Sequence, residues 1–492
     1  MDERTLSVVQ SVQRFMDEVV QEVRAQTDRP DAPTVSSVVE KHLGQDPAEL
    51  PIVRLDVDAH QFVNLDVAVA AIVEEHGGGS VIGVGGGDMR HHQTFGDFLQ
   101  QTGPWNRFRV GAVDRERVET GPSSHRDAVA FGIHLFRYRG QPVAVQQRRA
   151  NMQFGGRSGL EVVAPEELAG PLLADVRRLM VERSVFRGQL LSFGQAEQAF
   201  GPTVAGISFL ERPTMTAADV VLPAGALERI ERHVVSTARH RERLRAAGRH
   251  LKRGLLLYGP PGTGKTHTVR YLVSQLPEVT AIVLAGNALG YVGAATEFAH
   301  ALEPSVVIVE DVDLIAEHRE MHMGPQPLLF TLLDAIDGLT SEADVAFVLT
   351  TNRVDLLEAA LTQRPGRVDL AVEIPRPDAE ARRRLVDLYS AGLPLSAEAL
   401  ARAAVRTEGA TASLFKELFR RVVLVAAERD AEVSDEVLDD VVDELLADAE
   451  RLTRSLLGSG SDEPIDEAVV PMPFGPVPPV AGIFRGPAMY RP

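Results

Sequence analysis

The sequence predicts an α/β protein, with a parallel-sheet core followed by a small helical domain and preceded by an α+β domain. Beyond residue 220, apolar runs typical of buried strands alternate with helical patterns, which is the order of a doubly wound parallel sheet. Residues 378–457 have helical periodicity without a strand pattern. Residues 106–210 mix short β-rich pieces with one helical stretch at 165–184, which favours an α+β domain.

Composition narrows the class of protein. The chain has 492 residues, of which 44% are apolar and 24% are charged, as in ordinary globular proteins. Acidic residues outnumber basic ones by 69 to 51, and a net charge of -18 argues against general binding of nucleic acid. There is no cysteine, so disulfides and thiolate nucleophiles are excluded. We find neither an apolar leader nor a membrane-spanning run, and we therefore expect a cytoplasmic protein.

These changes in pattern divide the chain into four parts. The expected parts are an α+β substrate or partner domain at 1–212, an α/β domain at 213–376, a helical domain at 377–457 and a disordered Pro/Gly-rich tail at 458–492. Within the first part, apolar spacings of three and four predict an amphipathic helix from Leu6 to Val23. The role of this first domain is not readable from its residues.

A glycine-rich loop joins the predicted strand 254–258 to a helix. Its residues are Gly259, Pro260, Pro261, Gly262, Thr263, Gly264, Lys265 and Thr266, and we assign the adjoining His267 to the same site. Backbone N–H groups of such a loop surround the phosphates of ATP, the lysine bridges phosphate oxygens, and the threonine hydroxyl is a ligand for Mg²⁺. Only four of the basic residues are lysines, namely Lys41, Lys252, Lys265 and Lys416, so a lysine here is conspicuous.

Polar residues that suit hydrolysis follow two later strands. The apolar strand 306–309 ends in Glu310 and Asp311, where carboxylates meet the ligand crevice of a parallel sheet. We expect Glu310 to serve Mg²⁺ and Asp311 to polarise the attacking water, with Asp313 close by. Asn352, at the end of the next strand, is expected to orient the water and the γ-phosphate.

Two arginines stand twelve and fifteen residues further on, at Arg364 and Arg367 in the sequence Arg-Pro-Gly-Arg-Val-Asp. Guanidinium groups held by a Pro-Gly turn are suited to gripping a phosphate with two hydrogen bonds. If they project from a subunit edge, they complete the site of a neighbouring subunit. In isolation such arginines more often form surface ion pairs.

With these residues assembled, residues 220–457 resemble the classical clade of AAA ATPases. The resemblance implies ATP hydrolysis with Mg²⁺, a homo-hexameric ring and a protein substrate. It also implies that Tyr291, Val292 and Gly293 form the pore loop that grips the polypeptide, and that the helical domain is a lid. The pair Glu310-Asp311 reverses the family's Asp-Glu order, as in the mitochondrial respiratory-complex assembly chaperones of the family. Since Asp311 is the shorter residue, slower hydrolysis is a hypothesis.

Two other functions stay open. The chain is an activator or chaperone of one partner enzyme if the N-terminal domain is its docking module. It is a nucleic-acid motor if the basic stretch at 229–253, which has eight arginines and Lys252, contacts phosphates. Docking to a proteasome-like chamber is disfavoured, because the C-terminal Tyr490 stands one place too early for the family's docking motif.

Overall fold

The computed structural model describes residues 33–100, 108–150, 157–195, 205–313, 342–354 and 368–447, with isolated positions at 334, 338 and 340. The predicted helix from Leu6 to Val23, the predicted tail and both predicted arginine fingers lie outside these ranges. The described residues form two sheets of seven strands each and a group of helices near the C-terminus.

The first sheet is antiparallel and carries helices on both faces. Its elements are α1 (Val35–Leu43), β1 (Ile52–Val57), α2 (Phe62–Glu75), β2 (Gly79–Val84), α3 (Phe95–Leu99), β3 (Val110–Gly111), β4 (Asp114–Glu119), β5 (His125–Tyr138), β6 (Gln141–Arg148), β7 (Ser158–Val163) and α4 (Glu166–Glu182). The strand order is β1-β7-β6-β5-β2-β3, with β4 beside β5. Leu65 of α2 and Leu172 of α4 are buried on one face, and Val39 of α1 and Phe95 of α3 on the other. The predicted α+β domain is confirmed.

The second sheet is the predicted parallel core. Its elements are β8 (Leu190–Gln195), β9 (Ala205–Leu210), α5 (Ala226–Glu231), α6 (Thr237–Arg239), α7 (Arg241–Ala246), β10 (Arg253–Tyr258), α8 (Lys265–Ser274), β11 (Thr280–Leu284), α9 (Val292–Ala301), β12 (Ser305–Val309), β13 (Val345–Thr351) and β14 (Leu370–Glu373). The order is β14-β10-β13-β12-β11-β8-β9, and β9 alone runs antiparallel to its neighbour. In β12, Val307 faces the core that contains Phe298 of α9, whereas Ile308 faces Val269 of α8. Alternate side chains therefore pack against both helical layers.

The predicted boundary at residue 212 does not match the sheets. The domain predicted at 1–212 includes β8 and β9, but β8 pairs with β11 of the second sheet, placing Leu190 opposite Ala281. Leu191 and Phe193 pack in the same core as Ile282. The change of sheet therefore falls between α4 and β8. A strand's own sequence shows that it buries apolar residues, but not which distant strand it will pair with.

Four helices form the predicted helical domain: α10 (Ala379–Ser390), α11 (Ala397–Arg406), α12 (Ala412–Glu428) and α13 (Asp435–Leu446). Three of them begin at side-chain caps, since the side chains of Asp378, Ser396 and Ser434 accept hydrogen bonds from the N–H groups of Ala381, Ala399 and Val437. Their shared core includes Leu414 and Leu438. Among the described helices of the whole chain, none is both long and apolar enough to cross a membrane.

The first domain packs directly against the helix that follows the predicted pore loop. The His60 ring, just before α2, meets the Phe298 ring of α9 edge to face, with 5.7 Å between ring centroids. Val63 of α2 lies in the core that contains Phe298. The Asn64 side-chain oxygen accepts a hydrogen bond of 2.9 Å from the Val185 N–H. The two sheets are therefore joined by packed side chains as well as by the chain connection.

A buried ion pair joins β10 to β13 at the strand ends that lie far from the glycine-rich loop. Arg253 donates to Asp344 over 3.1 Å, and the two side chains are only 5% and 2% exposed. The Asp344 carbonyl also accepts a hydrogen bond from the Ser305 N–H at the start of β12. Breaking such a pair by removing one member leaves a buried charge without compensation.

We expect Asp344→Ala to lower the free energy of unfolding by about 3–5 kcal/mol, because the Arg253 guanidinium would remain buried without its counter-charge. Urea unfolding followed by circular dichroism measures the loss. The matched control is Glu75→Ala, which removes the carboxylate of the exposed pair between Arg183 and Glu75 and should cost about 1 kcal/mol or less. Equal losses in the two variants would contradict this expectation.

Candidate nucleotide-binding site

The glycine-rich loop at 259–264 has the backbone that only glycines adopt without strain. Gly259, Gly262 and Gly264 have φ angles of 145°, 74° and 109°. A Cβ atom on Gly259 would lie 2.2 Å from the Ile374 carbonyl oxygen, and one on Gly262 would lie 2.4 Å from the Ser413 hydroxyl. The loop is therefore closely packed between the end of β14 and the start of α12, directly before α8.

The Lys265 ammonium lies inside this loop. It donates hydrogen bonds of 2.8 Å to the carbonyl oxygens of Gly259 and Pro260. Burial lowers the pKa of Lys265, and the nearby carboxylates of Asp311 and Asp313 oppose that effect. Among the described residues, the hydrogen-bond partners of this buried cation are backbone carbonyls, which it can exchange for phosphate oxygens.

The two residues predicted to serve Mg²⁺ lie close together. The Thr266 hydroxyl, at the start of α8, is near enough to the Glu310 carboxylate, at the end of β12, to affect its pKa. Burial raises the pKa of Glu310, and the Thr266 hydroxyl opposes this rise. The Glu310 N–H donates to the Leu284 carbonyl over 3.0 Å, which fixes the backbone at this point.

The predicted catalytic carboxylate and amide are also brought together. The Asn352 side-chain amide donates to the Asp311 carboxylate over 3.4 Å. The Asp311 N–H donates to the Thr350 hydroxyl over 3.0 Å, and Asp311 has a φ angle of 51° in the left-handed region. The buried Asp313 carboxylate accepts hydrogen bonds from the Thr351 hydroxyl and the Asn352 N–H, at 3.0 and 3.1 Å. Asp313 thereby fixes the segment that carries Asn352.

A cavity of about 390 Å³ opens over these groups. One wall consists of the loop with Asp311 and Asn352, and the other contains residues from the segment before α5 and from the helical domain. These residues are Asp219, Val220, Val221, Leu222, Leu385, Tyr389, Ala412, Ser413 and Lys416. His267 also lines the cavity, and its Nε2 atom donates to the Asp219 carbonyl over 2.8 Å. The cavity is therefore polar at the loop and mainly apolar at the helical domain, as a nucleotide's phosphates and base require.

The three residues of the predicted pore loop differ in secondary structure and in burial. Tyr291 ends a 3₁₀ turn over Gly286–Tyr291 and is half-buried against the core. Val292 begins α9 and is only 1% exposed, so its side chain belongs to the core rather than to a substrate surface. Gly293 follows in the first turn of α9. Of these three residues only Val292 is fully buried, so Val292 is the only one no longer expected to contact a polypeptide.

This fold and site define a P-loop nucleotide-binding protein, with a parallel sheet, a glycine-rich loop before a helix, and carboxylates at the end of a neighbouring strand. Residues 255–376 match the family model of the ATPase family associated with various cellular activities (AAA). This part of the chain is therefore similar to the AAA family.

Curated relatives also match the chain, over longer stretches. The proteasome-activating nucleotidase of Pyrococcus horikoshii is 31% identical over 231 residues, which are 44% of this chain and 57% of that protein. The ATP-dependent zinc metalloprotease FtsH 4 of Sphaerobacter thermophilus is 31% identical over 271 residues, which are 52% of this chain and 41% of that protein. A Synechococcus FtsH is 29% identical over 352 residues, which are 66% of this chain and 54% of that protein. The chain spans about half the length of the curated relatives it matches.

Proposed function

We propose that the chain is an ATPase that forms a homo-hexameric ring and remodels, unfolds or threads a protein substrate through a central pore. The observation that carries this proposal is the gathering of Lys265, Thr266, Asp311 and Asn352 around one cavity, with Glu310 close to Thr266. The names of the relatives, a proteasome-activating nucleotidase and ATP-dependent proteases, support a protein substrate. A cytoplasmic location is part of the same proposal.

The residues of the site fit a magnesium-bound nucleotide. The hydroxyl of Thr266, at the start of α8, and the carboxylate of Glu310, at the end of β12, are hard oxygen ligands that lie close together. We assign these two residues to the ion, Glu310 through water. Bound Mg²⁺ neutralises phosphate charge and orients the β- and γ-phosphates. The positive φ angles of Gly262 and Gly264 turn the loop so that its N–H groups serve the same oxygens.

The remaining roles belong to side chains that touch the cavity. Lys265 leaves the Gly259 and Pro260 carbonyls and binds phosphate oxygens. Asp311 accepts a hydrogen bond from the attacking water and later its proton, so that ATP gives ADP and phosphate. Asn352, held 3.4 Å from Asp311, orients the same water. Asp313 acts indirectly, as a positioning residue that holds the Asn352 backbone by a hydrogen bond.

A nucleic-acid motor is the second candidate, favoured by exposed arginines in the basic stretch at 229–253. Arg239 and Arg243 of this stretch are exposed, whereas Arg253 is buried against Asp344. The two candidates differ in what stimulates hydrolysis. We expect stimulation by unfolded protein, and salt-sensitive stimulation by DNA or RNA alone would favour the motor.

We expect Asp311→Asn to slow ATP hydrolysis by roughly 10²–10⁴-fold while ATP still binds, because the amide keeps an oxygen for Asn352 but is not a base. Steady-state phosphate release and calorimetric ATP binding measure the two effects. In the companion variant Glu310→Gln, the concentration of Mg²⁺ needed for hydrolysis should rise. An unchanged rate in Asp311→Asn would show that Asp311 is not the base.

Arg364 lies outside the described residues, and its role as an arginine finger is proposed from the sequence. We expect Arg364→Ala to bind ATP normally and to lose most hydrolysis, by roughly 10³-fold or more. Mixing it with Lys265→Ala subunits should restore part of the activity, because the intact Arg364 of one subunit completes the intact loop of the next. Full activity of Arg364→Ala alone would contradict a finger that acts between subunits.

Tyr291 is the pore-loop residue whose ring is only half-buried. We expect Tyr291→Ala to keep basal ATP hydrolysis within about twofold and to lose most unfolding of a fluorescent protein substrate, because an aromatic grip on the polypeptide is removed. Loss of fluorescence under single turnover measures unfolding. If unfolding persists at the original rate, the pore-loop assignment is wrong.

A further inference from the structure

The connecting segment, residues 211–222, lies between β9 and α5 and follows α8. The Met215 carbonyl accepts a hydrogen bond of 3.1 Å from the Gln275 side-chain amide, just beyond the C-terminal end of α8. The Asp219 carbonyl accepts one of 2.8 Å from the His267 ring, in the first turn of α8. From Met215 to Asp219 the connecting segment therefore passes from the C-terminal end of this helix to the end that carries the glycine-rich loop.

Arg212 joins the beginning of the connecting segment to three elements of the second sheet and its helices. Its Nη1 atom donates to the carbonyls of Val273 and Leu276 over 2.7 and 3.1 Å, at the C-terminal end of α8. Its Nη2 atom donates to the carbonyls of Gly188 and Val279 over 3.1 and 3.0 Å, just before β8 and β11. Carbonyls at the C-terminal end of a helix lack partners within the helix and carry partial negative charge, so a cation is stabilised there. One guanidinium thus fixes the place where the connecting segment begins.

The other end of the connecting segment lines the nucleotide cavity. Residues 219–222 all form part of its wall. The Thr216 N–H and hydroxyl both donate to the Asp219 carboxylate, over 2.7 and 2.9 Å, and hold the turn that precedes this wall. The Val220 side chain packs in the same core as Leu272 of α8. The position of the wall therefore depends on where the connecting segment lies along α8.

We propose that Arg212 is a positioning residue for nucleotide binding, which acts from the end of α8 that lies away from the glycine-rich loop. This inference rests on the proposed function, since it takes ATP as the ligand. Because α8 has ten residues and is about 15 Å long, Arg212 acts on the ligand through the connecting segment rather than by contact. Without the guanidinium, the segment leaves α8 in part of the molecules, and the apparent affinity falls with the fraction that remains in place.

The test compares Arg212→Met with the unaltered full-length chain, because methionine keeps an unbranched apolar stem and loses the donors. The KM for ATP should rise roughly tenfold, as expected if the segment stays in place in about one molecule in ten. The kcat at saturating ATP should stay within about twofold, since bound ATP restores the wall. The affinity for inorganic tripolyphosphate with Mg²⁺, measured by calorimetry, should not change, because the glycine-rich loop binds it without the wall.

Two further measurements address the connecting segment directly. Hydrogen exchange at residues 213–222, followed without nucleotide, should be faster in Arg212→Met than in the unaltered chain. Arg212→Lys keeps a positive charge at the end of α8 and should regain part of the ATP affinity. If Arg212→Met does not fold, Arg212→Lys decides the question, with a smaller rise in the KM expected and an unchanged KM overturning the proposal.

Arg187→Met is the matched control. Arg187 is also half-buried and also donates to carbonyls, those of Val181, Ala301 and Glu303, but at the ends of α4 and α9. Its loss should lower the melting temperature about as much as the loss of Arg212 and leave the KM for ATP within about twofold.

Three results would overturn the positioning role of Arg212. They are an unchanged KM in Arg212→Met, an equal loss of affinity for tripolyphosphate in that variant, and an equal rise of the KM in Arg187→Met. Failure of the unaltered chain to bind ATP would instead overturn the proposed function.

Discussion

The site depends on the pairing of β13 between β10 and β12. The ladders place Tyr258 opposite Thr351 and Val309 opposite Leu349. Because all three strands are parallel, the loop after β10 and the carboxylates after β12 emerge at one edge, on either side of Asn352. A slip of one residue in either ladder would turn the side chains of these strand ends to the opposite face. The buried pair between Arg253 and Asp344 fixes β10 against β13 at the other end.

A second constraint is the closeness of the helical domain to the loop. The hydrogen bond from the Ser413 N–H to the Gly262 carbonyl holds the start of α12 against the loop. Leu385 and Tyr389 of α10 form the apolar wall of the cavity. On the far side of the sheet's core, His60 and Val63 of the first domain pack against α9, the helix that Tyr291 precedes. Strands β10, β12 and β13, which carry the site, share the core of α9 through Leu256, Val309 and Leu349.

The sequence predicts local features of this protein better than distant ones. The glycine-rich loop can be recognised because the spacing of its glycines and its lysine is itself the pattern of a phosphate-binding loop. The strands before Glu310 and Asn352 can be recognised because they are continuous apolar runs. The pairing of β8 with the second sheet was missed because pairing depends on residues ninety positions away. The apolar wall was missed for the same reason, since residues such as Val221 and Tyr389 meet only after the helical domain packs. Burial of Val292 likewise follows from packing that its own motif does not reveal.

The reversed order of Glu310 and Asp311 suits the backbone at the end of β12. Asp311 has a φ angle of 51°, and among residues other than glycine, short polar ones such as aspartate tolerate this region best. The strain there, roughly 1–3 kcal/mol, is offset by the hydrogen bonds that Asp311 makes with Thr350 and Asn352. The longer Glu310 precedes this turn, and its reach brings the carboxylate to the Thr266 hydroxyl. The backbone turn thus gives each carboxylate a different partner, which a simple exchange of the two residues would not preserve.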